Sequence, residues 1–195
     1  MIVKKAQTNP DTKVIIVGDL AVGKTSILNQ FEKGEFSETV ESTVGAGFVS
    51  RQVETSHGNV NLLMWDTAGQ ERYRSLIPMY SRNATAALLV VDVNNPLSVD
   101  SIEIWHSVLK EHCPRKCRIY VVANKIDLEC HISMEKLEQW SKHNGFPFFK
   151  ASAKRFETIE PIFKRVAEDM GSVNENLVLQ QESILIKKET HTVCC

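Results

Sequence analysis

The run Gly18-Asp19-Leu20-Ala21-Val22-Gly23-Lys24-Thr25 fits the pattern G-x-x-x-x-G-K-[ST] without a gap. No other feature restricts the fold so strongly. A loop of this kind wraps backbone N–H groups around phosphate oxygens. It does so where a buried strand delivers the chain and a helix carries it away, N-terminus toward the anion. Both flanks suit. Lys13 to Val17 (KVIIV) reads as the incoming strand and Thr25 to Phe31 (TSILNQF) as the outgoing helix. Gly18, Asp19, Ala21, Val22, Gly23, Lys24, Thr25 and Ser26 are therefore candidate phosphate-binding residues. Lys24 is placed to reach the β/γ-phosphates, and the Thr25 hydroxyl to ligate Mg²⁺. The competing reading is an ordinary strand-turn-helix connection with a solvated lysine.

The remaining pattern extends this unit. Strands are expected at about 13–18, 46–54, 60–66, 85–92, 118–123 and 147–150, and helices at about 24–32, 97–111, 133–143 and 157–170. Near-continuous apolar strands such as ATAALLVVDV and CRIYVVAN suit a parallel sheet covered on both faces. Ser56-His57-Gly58-Asn59 is a turn signal between two of the strands, which predicts an antiparallel hairpin at one edge. Pro96 with Ser98 opens one helix, and Thr158 with Pro161 the last. The expected fold class is α/β in three layers: a six-stranded, mostly parallel sheet with one antiparallel edge strand and helices on both faces. Residues 1–12 read as an N-terminal extension, 13–171 as one domain, and 172–195 as a flexible tail without a sustained apolar stripe.

Composition excludes some classes. A net charge of −1 gives no electrostatic argument for nucleic acid. The longest apolar stretch, Ala86 to Val91, is too short to span a bilayer. The basic N-terminus lacks a following apolar run, which argues against a secretory signal. No glycine follows Met1, which argues against myristoylation. Five cysteines, an odd number, suit a reducing compartment. Cys113 and Cys117 beside His112 are a conceivable metal site, but no second ligand pair has zinc-like spacing, so a surface loop is the expectation.

Further motifs follow the strands. Asp66-Thr67-Ala68-Gly69-Gln70-Glu71 follows the third. There Asp66 can hold Mg²⁺, usually through water. Gly69 lets a backbone N–H approach a terminal phosphate, and Gln70 can orient an attacking water. Asn124-Lys125-Ile126-Asp127 follows the fifth strand. The Asp127 carboxylate can accept two hydrogen bonds from guanine, where adenine offers no such donor pair. Asn124 would bridge segments of the site, and the Lys125 stem would lie over the base. Ser152-Ala153-Lys154 supplies backbone N–H groups for the guanine carbonyl. Thr43, on the segment before the hairpin, is a second hydroxyl ligand for Mg²⁺ that can follow the γ-phosphate. Phe36 can pack its ring edge against the base.

At this point residues 10–170 resemble the Ras-like small GTPases and, within them, the Rab family. The Rab-like features are TVGAGF at 43–48, LLMW at 62–65, RYRSL at 72–76, YSRNA at 80–84 and LVVDVN at 89–94. The stretches FEKGEFSETVESTVGAGF and ERYRSLIPMYSRNA look most like the early-endosomal branch. The resemblance implies a P-loop small-GTPase fold, GTP/GDP as ligand and substrate, Mg²⁺ as cofactor, and slow hydrolysis without a GTPase-activating protein. It implies a monomer that meets exchange factors, GTPase-activating proteins, an escort protein, a dissociation inhibitor and effectors. Phe48, Trp65 and Tyr80 match the aromatic triad shown to effectors, with core packing as the alternative for each. Cys194-Cys195 looks like a substrate for double geranylgeranylation, since Thr192 stands where a C-a-a-X box needs its cysteine. Two lipid chains anchor firmly where one binds only reversibly. The implied location is the cytoplasmic face of endosomal or related membranes, with a soluble cytosolic pool.

Two positions depart from the family pattern. Leu20 stands where a small residue is usual and would project toward the γ-phosphate and the attacking water. Gly47 stands where most Rabs carry an acidic residue, which bears on effector identity. A GTP-binding module with negligible hydrolysis and an ATP-dependent P-loop enzyme are the competing functions. Asp127 argues against the second.

Overall fold

Alternation along the strands sorts the core into two halves. Val14, Ile16, Leu62, Met64, Leu88, Val90 and Val122 face one side of the sheet. Ile15, Val17, Ala87, Leu89, Val91, Val121 and Ala123 face the other. Strands apolar on both faces must be covered twice, and helices supply both covers. The structure is a computed structural model that describes residues 11–39, 43, 46–67 and 76–190, with side chains from 174 onward outside that description. Its elements run β1 (Thr12–Val17), α1 (Lys24–Lys33), β2 (Ala46–Thr55), β3 (Gly58–Thr67), α2 (Ile77–Ser81), β4 (Ala86–Asp92), α3 (Pro96–Asp100), α4 (Ile102–His112), β5 (Arg118–Asn124), α5 (Met134–His143), β6 (Phe148–Lys150) and α6 (Phe156–Thr190).

The sheet order is β2-β3-β1-β4-β5-β6. All pairings are parallel except β2 with β3, the expected antiparallel edge hairpin. Helices α1 and α6 cover the first face, where Phe31 and Phe163 stack at 3.9 Å between ring centroids. Ile77 of α2, Trp105 and Leu109 of α4, and Leu137 of α5 cover the second. Strand β1 lies between β3 and β4, so the winding direction reverses there. Ligands of open parallel sheets bind at the carboxyl ends of strands at such a switch point. The loop after β1 occupies it.

The strand bounds match the expected ones within two residues. The helices differ more. The expected 97–111 helix is two, broken at Ser101, which ends α3 and precedes α4. Asn95 caps α3 by accepting from the Leu97 N–H. Helix α2 has five residues with Pro78 at its start, too short to leave a periodic signal. Pro161 sits inside α6, because that helix begins at Phe156. It removes one N–H from the ladder, a loss tolerated beside the buried Ile159, Ile162 and Phe163. The α6 backbone continues to Thr190, past the expected end near residue 170. Residues 172–190 contain neither Gly nor Pro and are rich in Leu, Glu, Gln and Lys, so helix propensity favours its continuation. The hairpin turn is tighter than its four-residue signal: Thr55 pairs with Gly58 across Ser56-His57, and Gly58 adopts φ +100°. Among the described residues, no helix is long and apolar enough to cross a membrane.

Candidate functional site

The loop between β1 and α1 is bent by left-handed residues: Gly18 at φ +143°, Ala21 at +62° and Gly23 at +96°. Ala21 carries a Cβ in that region, a strain of about 1–2 kcal/mol. Two glycines are sterically required. A Cβ on Gly18 would meet the Val90 carbonyl oxygen at 2.2 Å, and one on Gly23 the Asn124 amide nitrogen at 2.4 Å. The loop curls over Lys24, whose Nζ donates to the Gly18 and Asp19 carbonyls at 3.0 and 2.7 Å. Burial disfavours the ammonium and lowers the Lys24 pKa to about 8, against the opposing pull of Asp66 and Asp19. A buried cation hydrogen-bonded to carbonyl dipoles at a helix N-terminus is a strong receptor for anionic oxygen.

At the next residue, three oxygens converge. Thr25 Oγ1 donates to Asp66 Oδ2 at 2.6 Å and lies 2.9 Å from Thr43 Oγ1. Thr43 Oγ1 donates to the same carboxylate oxygen at 3.1 Å. The other oxygen, Asp66 Oδ1, is buried without a hydrogen-bond partner among the described residues. Burial pushes the Asp66 carboxyl up, while Thr25, Lys24 and Thr43 pull it down. An all-oxygen set with an orphaned carboxylate atom suits a hard divalent cation such as Mg²⁺.

The far end is built from β5 and the segment after β6. Asn124 Nδ2 donates to the Val22 carbonyl at 2.8 Å, and its Oδ1 accepts from the Ala153 N–H at 3.2 Å. One buried side chain thus ties the glycine loop to the 152–154 segment. Asp127 Oδ1 accepts from Ser152 Oγ at 2.6 Å, and Lys154 Nζ stands 3.5 Å from Asp127 Oδ2. Burial raises the Asp127 pKa, but the Ser152 hydroxyl, a backbone N–H and Lys154 outweigh it and hold the carboxyl below its usual range. Lys154 Nζ also lies 5.3 Å from the Phe36 ring centre.

Between the two ends lies a cavity of about 460 Å³. Of the expected nucleotide-binding residues, Ala21, Gly23, Lys24, Thr25, Ser26, Phe36, Thr43, Asn124, Lys125, Asp127, Ser152, Ala153 and Lys154 line it. Gly18 and Val22 shape the loop from behind. Asp19 points elsewhere: its Oδ1 accepts from Trp105 Nε1 at 2.7 Å and its Oδ2 from Ser101 Oγ. Leu20, about half exposed, also lines the cavity. Gly69 and Gln70 lie outside the described residues, as do Cys194 and Cys195.

Sequence reasoning missed Asp92, Ser101 and Trp105. Asp92 Oδ2 pairs with Lys125 Nζ at 2.6 Å, and Lys125 itself adopts φ +68°. Its position at the carboxyl end of a strand was the available signal. The other two carried none, since only the packed fold brings α4 to the loop. Away from the cavity, Phe48, Trp65 and Tyr80 do come together. Phe48 and Trp65 are register partners with centroids 5.2 Å apart, and Trp65 lies 5.7 Å from Tyr80. Phe48 is 53% exposed, whereas Trp65 is half-buried against the second core half and Tyr80 is half-buried beside it. Cys113 and Cys117 pack half-buried against the second core half.

A family model described as the Ras family matches residues 13–172. Ras-related protein Rab-5B of Plasmodium falciparum is 39% identical over 170 residues, 87% of this chain and 82% of the relative. Ras-related protein Rab5 of Nicotiana tabacum is 36% identical, with 84% and 83% covered. GTP-binding protein ypt5 of Schizosaccharomyces pombe is 36% identical, with 87% of each covered. With the phosphate loop, the threonine–aspartate cluster and the six-stranded sheet in place, the chain belongs to the Rab family of Ras-related small GTPases.

Proposed function

We propose that this GTPase is a membrane-anchored switch on endosomal vesicles, with the residues described above in the roles that their positions suit. The observation that carries the reading is the meeting of Thr43 with Thr25 and Asp66 Oδ2 beside the unpartnered Asp66 Oδ1. Thr43 comes from a connecting segment, so its hold on the site depends on what the site contains. Thr25, Thr43 and Asp66 would hold Mg²⁺, which when bound neutralises charge on the β- and γ-phosphates. Lys24 and the loop N–H groups bind the phosphates. Asp127 accepts from the guanine N1–H and exocyclic amine, the Ala153 and Lys154 N–H groups, which here donate to Asn124 Oδ1 and Ser152 Oγ, turn to the guanine carbonyl oxygen when the base is bound, and Phe36 and the Lys125 stem flank the ring. Gln70 and the Gly69 N–H serve the water and the terminal phosphate.

With GTP bound, the segments carrying Thr43 and Gln70 are held, and Phe48, Trp65 and Tyr80 present an ordered face to effectors. Hydrolysis releases it. Exchange factors, GTPase-activating proteins, an escort protein and a dissociation inhibitor complete the cycle. The endosomal assignment is supported by the motif stretches 31–48 and 71–84 and by relatives that carry the Rab5 name. Anchoring rests on geranylgeranyl chains at Cys194 and Cys195, because the tail's Lys187 and Lys188 are offset by Glu175, Glu182 and Glu189. A tagged full-length protein should sediment with membranes and co-localise with early endosomes, and the Cys194→Ser/Cys195→Ser variant should be cytosolic. Wild type and variant in the same fraction would defeat the anchor.

Leu20 sets a second expectation. Its side chain occupies cavity wall near Thr25, where the terminal phosphate and water would sit. Single-turnover hydrolysis of Leu20→Gly should run about tenfold faster than wild type, the factor that 1.4 kcal/mol of barrier represents. Equal rates, with and without a GTPase-activating protein, would remove Leu20 from the account.

A further inference from the structure

Asp19 stands inside the phosphate loop, yet its carboxylate leaves the cavity and crosses to helix α4. There it accepts from Trp105 Nε1 at 2.7 Å and from Ser101 Oγ. An indole N–H can only donate, and Trp105 is 1% exposed, so water offers it no ready substitute. Ser101 makes no side-chain cap to its own helix, though its hydroxyl also lies 3.1 Å from the Ser98 carbonyl. The break between α3 and α4 falls at this serine. The carboxylate thereby rests at the N-terminus of α4, where the helix dipole favours negative charge.

The backbone of Asp19, with that of Gly18, is gripped a second time. Lys24 Nζ donates to the Gly18 and Asp19 carbonyls. Between these grips lies a backbone that Gly18, Ala21 and Gly23 hold in left-handed conformations. A strained loop persists only where its surroundings over-determine it. Lys24 must share its protons with any bound phosphate, so the carboxylate grip is the one that ligand binding does not disturb.

We propose that Ser101 and Trp105 are positioning residues for nucleotide retention, clamping Asp19 so that the phosphate loop keeps its binding shape. Neither residue touches the cavity; both act through Asp19. The proposal rests on the reading of that cavity as a guanine-nucleotide site, and it adds an element of α4 to the determinants of nucleotide release.

The test is dissociation of a fluorescent N-methylanthraniloyl GDP from full-length protein, chased with excess GDP in the presence of Mg²⁺. Trp105→Phe keeps the ring and removes the N–H; Asp19→Asn keeps the shape and removes the charge. Each should release nucleotide about tenfold faster than wild type, as expected for loss of one charge-assisted bond. The double variant should be slower than the product of the two singles, because both weaken the Trp105–Asp19 bond. Ser101→Ala should show a smaller increase. Trp140→Phe removes a comparable indole bond, to Glu103 on the far side of α4, and should leave the rate unchanged. Where Trp105→Phe fails to fold, Asp19→Asn with Ser101→Ala carries the same comparison. A wild type that retains no labelled GDP overturns the nucleotide reading and the clamp with it. A wild type that retains GDP, with singles at its rate or a double variant equal to the product of the singles, overturns the clamp alone.

Discussion

Lys24→Ala should lower affinity for GDP by about 10²–10⁴-fold, the range for losing two charge-assisted hydrogen bonds at about 1.5–3 kcal/mol each. The reason lies in how the lysine is stored. Its ammonium is buried at 6% exposure, and its hydrogen-bond partners among the described residues are carbonyl oxygens, which leave its charge available to an anionic ligand. Burial lowers its pKa to about 8. GDP affinity of the wild type should therefore fall as pH rises from 8 toward 9.5, by up to about tenfold per unit. Lys24→Ala should lack this dependence. The sign for folding is opposite. Between about pH 8 and 10 the unfolded chain holds a proton that the folded, nucleotide-free protein has given up, so stability of that form gains as pH rises through this window. Equilibrium titration with labelled GDP at several pH values checks the first, and urea unfolding of nucleotide-free protein the second.

Asp127→Asn should cost about 10²–10³-fold in GDP affinity and invert base preference. The Asp127 carboxyl stays ionised at neutral pH because Ser152, a backbone N–H and Lys154 hold it below its usual range despite burial. It therefore offers two acceptors to the two donors on guanine. Asparagine offers one acceptor and one donor. Guanine then faces a donor with a donor, and leaving such groups unpaired is the costlier error. Xanthine presents a ring N–H and a carbonyl at the same positions, so xanthosine diphosphate should bind the variant better than GDP does. Competition of the two nucleotides against labelled GDP measures the change. An unchanged preference would show that Asp127 does not read the base.

Most of the fold was legible because β-strand and phosphate-loop signals are local. The buried runs TKVIIV and AALLVVD are apolar on both faces, which only a doubly covered parallel sheet satisfies. Gly18 and Gly23 carry steric requirements that the motif spacing already encodes. The helix errors share a cause. Periodicity carries through Ser101 unbroken, so the α3–α4 break is invisible until the Ser101 hydroxyl finds Asp19 across 82 residues of sequence. Residues in consecutive motifs are brought together around the cavity. Asp92 and Trp105 were not legible in the sequence, because their roles arise from one side chain meeting another element in the packed core. The aromatic surface shows the reverse. Trp65 reads equally as core or surface from its strand, and in the fold it is both: half-buried against the core, with the exposed Phe48 ring beside it at the sheet edge.

The central claim is that the cavity between Lys24 and Asp127 holds a guanine nucleotide. Protein purified without added nucleotide, denatured in acid and resolved by anion-exchange chromatography tests it most directly. Close to one equivalent of GDP or GTP should be recovered per chain, and none from Lys24→Ala. Recovery of ADP or ATP in that amount, or of no nucleotide from folded wild type that also fails to take up added GDP, would contradict it.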